Sequence, residues 1–470
     1  MASETEAKTE ERLARLIIDM AVSGGADSAE VYMRAKRGVS AESRSAEPES
    51  VKTSLDWGYA LRVIKDRRAG FSYSTSREDF GRTVQAALDA AKYTGEDPFL
   101  RLPFPGARGA GLPGGGTSAA AEIFDPRVAG MTAQEAFALA REIESAALGA
   151  DPKRIKRARS ATASFNSAEV LIVNSNGFSG SYRSTSATAQ IMAVAEDGGE
   201  SQMGWDFMGG AFLSDVSFGG TGRGAAEKAL KLLGSKRTVR MKAPVVLAGA
   251  VAAEFLDVFA SMLSAESVQK GKSLLRDRLG EEVVSKKISV VDDGLLPHGM
   301  GSAPFDDEGV PASKKTLIMA GALTGYMHNT YTAARQEAES QAGPVLSTGN
   351  AVRPGLSSFP VVGPLNFYLA PAPGVGPLEL EGLFARAGRG LYIIEAMGMH
   401  TINAVTGEFS IGVAGLLIEG GGPSHPVKEA VISGNLLEFF GNVEAVGDDM
   451  RFYGSTGSPS ILIGPTDISA

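Results

Sequence analysis

The amino-acid sequence predicts an α+β fold: small N-terminal α+β units followed by a large β-rich C-terminal domain, barrel- or sandwich-like. Three observations lead there. Two amphipathic helical patterns flank alternating apolar and polar stretches before residue 100. A run rich in Pro and Gly, LPFPGARGAGLPGGG at residues 102–116, then interrupts every periodicity. Beyond Ser285, short apolar runs separated by Gly, Pro and Asn turns take over. A length of 470 residues exceeds one ordinary hydrophobic core, so two or three domains are expected.

In chain order, Leu13, Leu16, Ile17 and Met20 recur at helical spacing, and Gly24-Gly25 stop that helix. Val31, Met33 and Ala35 alternate with polar neighbours, as a half-buried strand would. Strand character runs from Leu55 to Tyr73, broken at Lys65-Asp66-Arg67-Arg68 by a hairpin turn. Ser76, with Asp79 three residues on, has the form of a capping box, and Phe80, Val84, Leu88 and Ala91 follow on one helix face. These elements make an N-terminal α+β unit, residues 1–101. Residues 102–124 form a Gly/Pro-rich linker, with little to bury and much conformational freedom to lose.

The middle α+β unit spans 125–237. Thr132 and Glu135 make a second capping box, opening a helix that carries Leu139, Ile143 and Ala147. Val170 to Val173, the turn Ser175-Asn176-Gly177 and a Ser/Thr/Ala-rich segment to Ala195 predict a hairpin. Ala225 to Leu233 closes the unit as a short helix. In the C-terminal domain, residues 238–470, Val245 to Leu247 predicts a buried strand, and Phe255, Phe259 and Met262 share a helix face. Strands follow at Ile288 to Val291, Leu317 to Met319, Leu391 to Glu395, Phe409 to Glu419, Val427 to Ser433 and Ile461 to Ile463.

Composition narrows the function classes. Hydrophobic content of 43% with 21% charged residues describes a globular chain, and a net charge of -8 without long runs gives no reason to expect nucleic acid or an anionic membrane as partner. With no Cys, disulfides and thiolate metal sites are excluded. The opening residues MASETEAKTEER contain no apolar signal region, and no apolar run approaches the ~20 residues of a membrane helix, so a cytoplasmic protein is expected.

Residues able to do chemistry gather between Gly301 and Pro354. Phe305-Asp306-Asp307-Glu308-Gly309 sets three carboxylates side by side. They could hold a hard cation or a peptide amine, or form an acidic turn bonded to backbone N–H groups. In Tyr326 to Arg335, His328, Asn329 and Arg335 combine imidazole, amide and guanidinium groups; the amide and Arg could bond a peptide main chain. Arg335 could equally pair with Glu337 or with the acidic turn. Ser347-Thr348-Gly349-Asn350 suits a turn, which Arg353-Pro354 leaves in extended conformation. Further on, His400 and Asn403 precede Thr406-Gly407-Glu408-Phe409-Ser410, and His400 suits either a structural hydrogen bond or a peptide cleft. The four His, His298, His328, His400 and His425, share no helical turn or strand alternation, although distant ligands could still meet in space. No phosphate-binding loop or nucleophile elbow is present.

The order of these stretches (FDDEG, the His segment, Thr348-Gly349-Asn350 with Arg353-Pro354, then His400-Thr401 with Asn403) resembles the TldD/PmbA family. Gly25 to Ser28 and Gly58 to Val63 are weaker anchors of the same likeness. The resemblance implies a cytosolic assembly of one catalytic and one non-catalytic subunit that cleaves unfolded or extended peptides in an enclosed chamber. In the catalytic branch, HExxxH lies on the helix after the first C-terminal strand, and a downstream Cys is expected. Here that helix is AGAVAAEFLDVFASML, which places Ala253, Glu254 and Val258 at the motif positions. Glu254 alone cannot hold a catalytic metal.

The resemblance therefore points to the non-catalytic TldE/PmbA-like branch. It implies no catalytic or metal residue and no cofactor in this chain, with zinc expected only in a TldD-like, HExxxH-bearing partner subunit. The partners implied are that subunit and unfolded peptide, with no nucleic acid and no membrane. Two alternatives stand beside it. One is a self-sufficient hydrolase using His298, His328 or His400 with Asp306, Asp307 and Glu308; the other is a homomeric binding or scaffold protein.

Overall fold

The computed structural model describes residues 4–104, 122–237, 240–340 and 343–469. Most of the Gly/Pro-rich linker lies outside the described residues. The N-terminal half comprises α1 (Glu4–Ser23), β1 (Ser28–Arg44), β2 (Glu47–Lys65), β3 (Arg68–Ser74), α2 (Phe80–Ala91), α3 (Pro126–Gly130), α4 (Ala133–Ala150), β4 (Ile155–Asn174), β5 (Ser179–Asp197), β6 (Glu200–Gly210) and α5 (Phe218–Lys231). All six strands join one antiparallel sheet, in the order β3-β2-β1-β4-β5-β6. The N-terminal and middle units thus share a sheet. Their seam is the β1–β4 pairing, from Glu30 opposite Asn174 to Ser43 opposite Ala161.

Period-two alternation assigns the faces of this sheet. Val31 and Met33 of β1, with Tyr59, Leu61 and Val63 of β2, pack under α1 and α2. Phe165 and Ile191 do the same under α4 and α5. Tyr32, Ala60, Val170 and Ile172 face the other way and enclose Phe305 of the C-terminal domain. The tight turns use non-Gly residues in left-handed conformation, Asp66 and Arg67 (φ 50 and 54) and Ser45 and Ala46 (φ 54 and 62). At the second turn the buried Glu144 carboxylate of α4 accepts from the Ser45 and Ala46 N–H groups and from Ser43 Oγ, which holds the strained turn in place.

Helix starts mostly follow the sequence signals. Thr132 and Glu135 cap α4 reciprocally. At α2 the cap is Asp79, whose Oδ1 accepts from Arg82 N at 3.1 Å; Ser76 instead receives Glu78 N inside the preceding turn. The capping-box reading of Ser76 is corrected accordingly: a carboxylate three residues later sits nearer the helix's free N–H groups.

The C-terminal half continues with β7 (Lys236–Arg237), β8 (Met241–Leu247), α6 (Gly249–Ala260), α7 (Ala265–Gln269), β9 (Ile288–Asp293), β10 (Lys314–Met319), β11 (Ala322–Leu323), α8 (Thr330–Glu339), β12 (Ala351–Val352), β13 (Val361–Val362) and β14 (Phe367–Pro371). It ends with α9 (Leu380–Ala387), β15 (Gly390–Met397), β16 (Glu408–Glu419), β17 (Gly422–Asn435), α10 (Leu436–Gly441), β18 (Val443–Val446), β19 (Arg451–Tyr453), β20 (Thr456–Ser458) and β21 (Ile461–Ser469). β21 pairs with both β8 and β17, so β21, β8, β15, β16 and β17 close into a barrel. A second sheet, β11-β10-β9-β14-β20-β19, packs with α6 against it. Phe255, Phe259 and Met262 enter the shared core, as their common helix face predicts.

Candidate functional site

The acidic turn folds back on itself. Asp306 N donates to Val310 O at 2.8 Å, and Asp306 Oδ1 accepts from the N–H groups of Glu308 (3.0 Å) and Val310 (2.9 Å). Its Oδ2 accepts from Ala351 N at 2.9 Å, and Asp307 Oδ2 from Arg353 N at 2.6 Å. Gly309 takes φ 85, and a Cβ there would meet the Phe178 ring at 2.5 Å, so only Gly fits. Glu308 points elsewhere: Oε1 accepts from Arg62 Nη1 and Oε2 from the N–H of Thr330, each at 2.8 Å. Each carboxylate of the turn is thus engaged by backbone or guanidinium donors.

Around the turn runs a buried chain of alternating charge. Arg62 lies between Glu308 and Glu30, at 2.8 Å from each, and Glu30 also receives Arg353, whose guanidinium stands 4.9 Å from the Tyr32 ring centroid. Glu30 and Arg62 sit on the sheet face turned away from the helices, so this chain fastens the N-terminal sheet to the C-terminal domain. Nearby, the fully buried Lys315 bonds Asp292 Oδ2 and Thr348 O, each at 3.0 Å. Asn350 donates to Asp292 Oδ2 at 2.7 Å and accepts from Thr348 Oγ1 at 2.7 Å. Asn329 caps α8 by accepting from Thr332 N at 2.9 Å.

Burial sets the protonation behaviour of this region. It pushes the Asp306 carboxyl up to about 8, assisted by the neighbouring Glu308 charge and against three backbone donors. Asp307 is also raised by burial. Burial lowers His328 to about 4, and its Nδ1 has no hydrogen-bond partner. Its ring is neutral at physiological pH.

Of the residues singled out by sequence, the fold brings together Asp306, Asp307, Glu308, His328, Asn329, Asn350 and Arg353. Arg335 lies outside, on the outer side of α8, where it pairs with Glu339 at 3.0 Å; Glu337 instead pairs with Arg101 at 2.9 Å. The spacing of one helical turn favours Glu339 over both partners considered from sequence. His400 and Asn403 are exposed before β16, where Asn403 Oδ1 accepts from Val405 N and Thr406 N. Glu395 in the same stretch is pushed up to about 7 by burial, against the charge of Lys228.

On α6, Ala253 is buried, Glu254 exposed and Val258 half-buried. Among the described residues no three His, Cys, Asp or Glu form a group able to hold a metal. His298 bonds Asp215 at 2.8 Å, and His425 stands beside Ser424. Among its residues α6 carries the carboxylates Glu254 and Asp257 and no His.

Glu30, Arg62, Asp292 and Lys315 were not singled out by sequence. For three of them a signal was there: a charge set among apolar neighbours in AEVYM, YALRVIK and ISVVDD marks a side chain that must be paired when the strand is buried, whereas Lys315, beside a second lysine in KKTLIM, gave none.

Comparison with known proteins gives a consistent result. Models of the PmbA/TldA metallopeptidase domain 1, central domain and C-terminal domain match residues 29–91, 126–233 and 240–470 in succession. Metalloprotease PmbA of Escherichia coli O157:H7 is 29% identical over 98% of this chain and 96% of its own length. A Metalloprotease PmbA homolog of Haemophilus influenzae is 28% identical over 96% of this chain and 94% of its own. A solved Thermotoga maritima protein, described as a candidate modulator of a DNA gyrase, superposes with TM-score 0.86 at 26% identity, covering 98% of this chain and 100% of that one. The crystal structure of TldE from Thermococcus kodakarensis superposes with TM-score 0.83 at 21% identity, over 98% and 100% of the two chains, and shares the fold.

Proposed function

Because the chain belongs to the PmbA/TldD metallopeptidase family, we propose that it is a non-catalytic, TldE/PmbA-like subunit of a heteromeric zinc metallopeptidase. In this reading it completes the chamber and positions unfolded or extended peptide, while an HExxxH-bearing, TldD-like partner supplies zinc and the bond-breaking chemistry. A cytoplasmic location belongs to the same reading. The observation that carries it is α6. Where HExxxH chemistry needs two imidazoles and a carboxylate on one helix, the motif positions of this helix hold Ala253, Glu254 and Val258. Elsewhere, the carboxylates of the dense cluster described above are buried and paired with guanidinium, amide and backbone donors, which suits architecture better than turnover.

The test is reconstitution. The purified chain alone is expected to bind no stoichiometric zinc by elemental analysis and to leave an unfolded polypeptide intact. Cleavage should appear on adding an HExxxH-bearing family member and vanish with a chelator. Chelator-sensitive cleavage by the isolated chain would overturn the reading in favour of a self-sufficient hydrolase.

A further inference from the structure

Two adjoining cavities open on either side of the first turn of α8. The larger, about 300 Å³, lies between β2–β3 and the Phe359–Val361 segment, with Arg62, Ala69 and Tyr331 in its walls. The smaller, about 210 Å³, lies against Val310, Thr330, Val345 and Leu346. Arg101 borders both. Much of each lining is apolar, and Leu346, Phe359 and Val361 remain about two-fifths exposed at the openings.

The charged groups in these walls are already balanced. Arg62 is held by Glu30 and Glu308, Arg101 by Glu337, and Glu266 by Lys270. A net-charged ligand would find no free countercharge there. What is left over is hydrogen-bonding capacity without a free countercharge, one group in each cavity. Arg62 Nε and Thr330 Oγ1 are buried without a partner, in residues only 9% and 6% exposed. A buried donor without an acceptor is costly, and a neutral carbonyl oxygen would satisfy either group. The volumes lie at or below the lower end for small-molecule pockets, roughly 300 Å³, and suit one large apolar side chain each.

We propose that the two cavities are neighbouring side-chain subsites for an extended, apolar peptide, whose main-chain carbonyls meet Arg62 Nε and Thr330 Oγ1. This deepens the peptide-positioning part of the proposed function and rests on it. It adds a preference: neutral, large aliphatic or aromatic residues at nearby positions, with backbone hydrogen bonding between them.

The experiment uses the full chain alone, without a partner. Fluorescently labelled, unstructured peptides of Gly and Ser, with or without two Leu or Phe residues, are titrated by anisotropy. Apolar peptides are expected to bind at least tenfold more tightly than the Gly/Ser control. Filling the cavities from outside the ion-pair chain, with Ala69→Trp and Val345→Trp, should each weaken binding at least tenfold while the thermal unfolding profile is retained. Equal binding of both peptide types, or unchanged affinity in both variants, would overturn the proposal. So would binding of free leucine amide as tight as that of the peptide. If peptide binding behaves as expected but reconstituted cleavage fails, only the subunit reading falls. If cleavage succeeds and the cavity variants bind normally, only this inference falls.

Discussion

The junction around Asp306–Arg353 and the helix α6 belong to one domain and differ in what their polar groups face. At the junction, the carboxylates are buried and answered by guanidinium, amide and backbone N–H donors. On α6, the apolar face is committed to the barrel core and the outward positions carry an exposed Glu254 and a half-buried Val258. A dense set of ionisable residues is therefore not the same thing as a reactive site. Where the charges already answer one another, the set fixes domain geometry; the few unpartnered atoms beside it, Arg62 Nε, Thr330 Oγ1 and His328 Nδ1, are the exceptions.

The contrast can be broken most forcefully at Arg62. Arg62→Met leaves the Glu30 and Glu308 carboxylates buried without their shared cation, and should cost about 3–5 kcal/mol in urea unfolding. A loss below about 1 kcal/mol would mean the junction is not a structural clasp. Next in size is the acid limb. Burial holds His328 at about 4, below the usual ~6.5, so the neutral ring belongs to the folded state. Its contribution is complete above pH ~6.5 and is lost as pH falls through about 4, and should amount to roughly 3 kcal/mol. His328→Gln should flatten that part of the stability–pH curve. Asp306 has the opposite sign: its carboxyl is raised to about 8, so its contribution fades as pH rises from ~4 through 8, and Asp306→Asn should remove that drift.

A smaller effect is expected at Asn350, which donates to Asp292 and accepts from Thr348. Asn350→Ala should cost about 1–3 kcal/mol through partners left unsatisfied. Smallest are Arg335→Ala and His400→Ala, a surface helix pair and an exposed turn residue, each expected within about 0.5 kcal/mol of the parent in the same unfolding assay. A large cost at either position would move it into the paired network from which the structure excludes it.

Local features were legible in the sequence because their causes are local. The charged Lys65–Arg68 turn, the Thr132–Glu135 cap and the shared face of Phe255, Phe259 and Met262 each depend on neighbours within a few residues. The seam between β1 and β4 was not legible, since its partners lie more than a hundred residues apart and alternation cannot name a partner strand. α8 was missed for another reason. TYTAARQEAE has no apolar stripe of its own, and its clearest sign was Asn329 ahead of Thr332 at the cap. At the site, the clustered motif residues were visible. Their answering charges, Arg62, Glu30 and Lys315, lay inside strands where hydrophobic pattern drew the eye instead.

Barrel closure has a consequence for biosynthesis. β8 is flanked by β15 and β21, so the strand that opens this domain keeps both hydrogen-bonding edges vacant until its neighbours are translated. At roughly 5–20 residues per second, the interval from residue 247 to residue 461 lasts on the order of ten to forty seconds. Throughout it, at least one edge of this Val-Val-Leu ribbon has no partner strand, β15 closing one edge by residue 397 and β21 the other last, which makes it a natural customer for chaperones and a place where slow codons would carry risk.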